Sequence, residues 1–184
     1  MHIDSVSTSR IKRGMMAAAK ADSLLCKEGW LCCYEYHDDW GDGFEMAKYD
    51  DGGGDHFILL FDGDRAILKG FDHESELSPY AREPFGITPG LYDGAPPELL
   101  AALQDPALEF DHVTFCFWRL NAEGGWGRGR AEVGPESEDG TDFLIPRIVV
   151  DFPGYDSYAE DYFEDDYTEE MRQKVLQIFS DEAN

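Results

Sequence analysis

Positive charge is scarce in this chain: 15 lysines and arginines stand against 39 aspartates and glutamates, a formal net charge of -24 over 184 residues. Such a surface repels phosphates over most of its area, which argues against nucleic acid as a direct partner. Long apolar runs are missing as well. Nothing approaches the ~20 residues needed to span a bilayer, and the opening MHIDSVSTSRIKRG lacks the continuous apolar core of a secretory signal, so a soluble, cytoplasmic protein with no membrane partner is expected. Cysteine is limited to Cys26, Cys32, Cys33 and Cys116, with an adjacent pair and no C-x-x-C. That pattern suggests neither a disulfide framework nor a zinc knuckle; buried, reduced thiols are the expectation. Catalytic signatures are absent too. Ser75 and Ser78 sit in no G-x-S-x-G elbow, and Gly52-Gly53-Gly54 is followed by Asp55 rather than by a lysine and a helix start. Asp38, Asp39, Asp42, Asp50, Asp51 and Asp55 do not fall into the EF-hand register and read as hairpin turns, with weak cation binding left open. No cofactor is implied and no residue is assigned as catalytic.

What the chain does have is apolar material: 42% of its residues are hydrophobic and 14% aromatic, enough for a folded core and economically one domain over 1–184. Phe57 to Phe61 and Ala66 to Leu68 are apolar runs joined by Asp62-Gly63-Asp64, the composition of a tight hairpin. Before it, Trp30 to His37 and Phe44 to Tyr49 read as two further strands separated by Gly/Asp turns. Four strands in succession predict an antiparallel meander with the Phe57–Leu68 hairpin at its middle. His112 to Leu120 predicts another strand, central or covered, with Val113, Phe115 and Phe117 on one face; Trp126 to Val133 predicts an edge strand. Ser7-Thr8-Ser9 can cap an amphipathic helix that stops near Gly29, although Gly14 inside it costs about 1 kcal/mol relative to alanine. A short helix is expected over Pro96–Leu103, after a long irregular connection, and a last helix after Thr168 with Met171, Val175, Ile178 and Phe179 on one stripe. Pro146 is expected to divide the apolar stretch Asp142–Val150. The fold class is therefore α+β: a mainly antiparallel sheet packed by an N-terminal, a short middle and a C-terminal helix.

Two stretches could carry function. The first is the candidate site loop Asp72, His73, Glu74, Ser75, just past a strand end. A histidine beside carboxylates suits acid/base or metal chemistry, with His37, Asp39 or His56 as further ligands. The same residues also suit a capping network in which Asp72 and Ser75 bond backbone amides. The second is the acidic aromatic run Tyr155, Tyr158, Asp161, Tyr162, Glu164, Asp165, Asp166, which offers rigid contact area and carboxylates to steer a basic protein. On a helix, its tyrosines could equally be core.

The strings Trp40-Gly41-Asp42-Gly43-Phe44-Glu45, Gly70-Phe71-Asp72-His73-Glu74-Ser75 and Phe115-Cys116-Phe117-Trp118-Arg119 resemble those of a group of uncharacterised bacterial proteins of similar length. The acidic single-domain character is similar to that of immunity proteins of bacterial toxin systems, including the SMI1/KNR4-like group. What that likeness implies is a non-enzymatic module that neutralises a basic partner. A metal-binding protein or hydrolase built on Asp72, His73 and Glu74 is the alternative.

Overall fold

The computed structural model describes residues 3–131 and 138–183. Its centre is a six-stranded antiparallel sheet whose strands lie side by side in chain order: β1 (Tyr34–Gly41), β2 (Phe44–Asp50), β3 (His56–Asp62), β4 (Arg65–Phe71), β5 (Phe115–Arg119) and β6 (Gly127–Arg128). The expected meander and its central hairpin are both present. Asp62 pairs with Arg65 across a two-residue turn, and Gly63 there adopts φ +60, which a side chain disfavours. Between β1 and β2, Asp42 and Gly43 both take positive φ, as a two-residue hairpin that follows the twist of the sheet requires.

β3 and β4 read as nearly continuous apolar runs because both of their faces are buried. Phe57, Leu59, Leu68 and Phe115 point to one face, where they meet α1 (Thr8–Leu25), α3 (Thr141–Ile148), α4 (Phe152–Phe163) and α5 (Glu169–Ala183). Ile58, Leu60, Ile67 and Cys116 point to the other, under the long connection between β4 and β5. That connection includes α2 (Pro97–Ala102) and lays Leu77, Leu91, Leu99, Leu103 and Leu108 on the sheet, each almost fully buried. At about 1.5–3 kcal/mol per fully buried large aliphatic side chain, this covering is worth several kilocalories, so an irregular segment is held as a layer.

Some boundaries differ from the sequence expectation. β1 begins at Tyr34, because Gly29–Leu31 forms a 3-10 turn that takes Trp30 out of the sheet. α1 is capped by Ser7, whose Oγ accepts from the Arg10 amide, but it ends at Leu25 rather than near Gly29. β5 starts at Phe115, so Val113 lies on the face opposite Phe115 and Phe117. β6 keeps only two of the residues expected for it, and the end of that expected strand, 132–133, lies outside the described residues. Pro146 does not divide its stretch: it sits inside α3, whose Leu144, Ile145 and Ile148 face the core. It removes one backbone bond from a helix only two turns long, and that burial offsets the loss. The last helix forms as expected, with the Thr168 hydroxyl accepting from the Met171 amide and Val175 and Phe179 buried.

Candidate functional site

The loop after β4 is a capping network. The Asp72 carboxylate accepts from the Glu74 amide at 2.9 Å, and its own amide donates to Thr114 Oγ1. Ser75 Oγ accepts from the Leu77 amide and donates to the Glu138 carbonyl at 2.7 Å, tying the loop to the segment before α3. His73 is exposed. Its Nδ1 lies 2.8 Å from Asp55 Oδ1, the oxygen that also accepts its amide, and this bond raises the imidazole above its ordinary pKa. Glu74 points into solvent. The structure adds Asp55 to this loop in place of His37 or Asp39; His37 pairs with Glu35 on β1, separated from β4 by two intervening strands. The turn aspartates are occupied likewise: Asp51 Oδ1 accepts the amides of Gly53, Gly54 and Asp55.

A second cluster lies under the far face of the sheet. His56 opens β3 and points beneath the connection, where it is 4% exposed. Among the described residues its Nε2 has no hydrogen-bond partner, and Glu109 Oε2 lies 3.6 Å away. Burial, reinforced by Lys69, depresses the imidazole to about 3, so His56 is neutral at physiological pH. Lys69 on β4 is wholly buried, and its Nζ donates to the carbonyls of Glu109 and His112, both at 2.9 Å. Desolvation lowers that amine to about 7. His112 stacks on Phe71, places Nδ1 3.6 Å from the same Glu109 oxygen and meets Tyr80 Oη through Nε2 at 2.8 Å. Glu109 holds a left-handed backbone conformation, φ 48 and ψ 55, rare for a residue with a side chain. Among the described residues, two groups offer three ligand atoms within 4.8 Å of one another: His56, Glu109, His112, and Asp55, Asp72, His73.

The acidic aromatic run divides. Tyr155 and Tyr158, expected as candidates for a partner surface, are core residues at 0% and 5% exposure, because α4 lays that flank against α1 and the sheet. Asp161, Tyr162, Glu164, Asp165 and Asp166 remain on the surface. Tyr162 is anchored by its hydroxyl, which donates to the Leu31 carbonyl at 2.8 Å, and Asp166 pairs with Lys27 at 2.6 Å. The Tyr162 contact brings its ring to the groove that Trp30 lines, and Trp30 at 80% exposure is the most exposed of the large hydrophobic side chains described. Trp30 and Tyr162 border a groove with Glu35, Asp50 and Asp51; Lys48, the one cation among the described residues lining it, is paired with Asp50. Among the described residues, Asp161, Glu164 and Asp165 form no ion pair.

Trp30 was hidden in the sequence because it adjoins an apolar run and reads as the start of β1. Glu109 and His112 were hidden because both lie more than 50 residues from His56 in the chain. The available hint was Lys69, a charge at an inward position of a buried strand. Compared with protein-family models, with curated proteins and with solved structures, the chain gives no match.

Proposed function

We propose that this protein is a non-enzymatic binding module for a basic protein, docked on the surface formed by Trp30, Tyr162 and the surrounding carboxylates. The observation that carries the reading is Trp30, left 80% exposed on a groove that it shares with Tyr162, Glu35, Asp50 and Asp51, while Asp166 pairs with Lys27, three residues before Trp30 in the chain. An exposed tryptophan supplies large, rigid contact area, and its ring attracts an arginine or lysine through its π face. The carboxylates around it steer such a partner in, and the -24 net charge extends the attraction over the surface. Toxin neutralisation, as by an immunity protein, is the biological role this chemistry suits: an acidic face blocks a basic toxin without performing a reaction.

The experiment is affinity capture from native lysate with the wild-type chain, Trp30→Ala and a double variant, Asp165→Lys/Asp166→Lys. The expected result is a basic protein retained by the wild type and lost with either variant. Retention by both variants, or no retained protein, would overturn the reading.

A further inference from the structure

We propose that His56, Glu109 and His112 form a binding site for one first-row divalent cation, with zinc the ion their donors fit best. Two imidazoles and a carboxylate are a borderline-soft set of the kind that takes zinc, leaving a fourth position for water. The spacing is close to what an ion needs. Donors about 2.0–2.1 Å from one zinc at the tetrahedral angle stand about 3.4 Å apart; Glu109 Oε2 is 3.6 Å from both His56 Nε2 and His112 Nδ1.

His56 is the independent sign that a ligand belongs here. It is 96% buried by its 4% exposure, and its Nε2, aimed at the cluster, has no hydrogen-bond partner among the described residues. Buried polar atoms in native proteins nearly always have partners, so a nitrogen left bare in this direction wants one. The other two donors are held in place by contacts that do not use their ligand atoms. Lys69 pins the carbonyls of both loop residues to β4, and Phe71, paired in register with His56, stacks on the His112 ring. Tyr80 Oη sits on His112 Nε2, the outer contact that orients a ligating imidazole and leaves Nδ1 for the ion. The Lys69 ammonium counts against a cation here, but its hydrogen bonds end on carbonyls, so the ligand atoms stay free. Glu109 is exposed and gives an ion a way in.

The other three-ligand group, Asp55, Asp72 and His73, is a poorer host. Asp55 Oδ1 is already shared between the amide and ring of His73, and Asp72 Oδ1 holds the Glu74 amide.

The site shares no residue with the Trp30 surface, so its test and that of partner binding succeed or fail separately. The chain, stripped with chelator, is titrated with zinc by calorimetry and with cobalt(II) by visible absorption. The expected result is one ion per chain, with cobalt d–d bands of a four- or five-coordinate nitrogen/oxygen site. His112→Ala should weaken zinc binding at least 10-fold, Tyr80→Phe should weaken it about 10-fold, and His73→Ala should leave it unchanged. His112 is half-buried, so its replacement carries the test without the risk to folding that replacing buried His56 brings; a circular-dichroism spectrum like the parent's confirms it. No stoichiometric zinc binding, or equal affinity in the parent and His112→Ala, would overturn the proposal.

Discussion

Tyr155 on α4 donates its hydroxyl proton to Oδ1 of Asp22 on α1 at 2.6 Å, and both side chains are sealed from solvent. The other carboxylate oxygen accepts the amides of Cys33 and Tyr34, each at 2.8 Å, at the point where the chain enters β1. One buried acid thus joins the first helix, the first strand and α4. Asp22→Ala leaves three donors without an acceptor and should cost about 3 kcal/mol or more in urea unfolding. A loss under about 1 kcal/mol would show that the three donors find other partners.

The same carboxyl has a pH signature. Burial, partly offset by the Tyr155, Tyr34 and Cys33 bonds, raises it to about 6 from an ordinary 3.8. Between those values the folded state holds a proton that the unfolded state releases, so the Asp22 contribution makes stability rise as pH falls from above 6 toward 4. The stability difference between the wild type and Asp22→Asn should therefore shift in favour of the wild type across that window. A difference that stays flat from pH 7.5 to 4.5 would contradict the assignment.

Gly14 sets helix propensity against packing. Alanine is worth about 1 kcal/mol over glycine inside an exposed helix. A Cβ at position 14, however, would lie 2.4 Å from the carbonyl oxygen of Val150, where α1 passes over the segment after α3. The clash is with backbone, which cannot swing away as a side chain can. Gly14→Ala should lower the thermal midpoint despite the propensity gain; a raised midpoint would mean that the two segments part easily.

Much of the fold was legible because period and turn chemistry agree locally. Phe57–Phe61, Ala66–Leu68 and the Asp/Gly turns specify the meander, and Ser7 and Thr168 mark helix starts that the structure keeps. What stayed hidden depends on distant partners. Pro146 is tolerated because Leu144 and Ile148 are buried by elements elsewhere in the chain, and Gly14 is explained only by Val150. The candidate sites follow the same division. The Asp72–Ser75 capping pattern could be read from spacing alone, whereas the meeting of His56 with Glu109 and His112 is made by the covering layer, which has no periodicity to announce it.

The loop after β4 offers a direct comparison. Ser75 is buried and bonds at both ends, while His73 is exposed and its ring hydrogen-bonds to Asp55 at the loop's edge. Ser75→Ala should cost about 1–3 kcal/mol and His73→Ala about 0.5 kcal/mol or less. The reverse order would return His73 to the centre of the loop's role.

The most direct test of partner binding is the affinity of the captured basic protein for the wild type and for Trp30→Ala, measured at about 50 mM and about 500 mM salt, across which screening of surface charges grows strongly. The expected result is wild-type binding that weakens steeply with salt, and a loss of about 2 kcal/mol or more, some 30-fold, on removing the Trp30 ring. Binding that is indifferent to salt and unchanged in Trp30→Ala would contradict it.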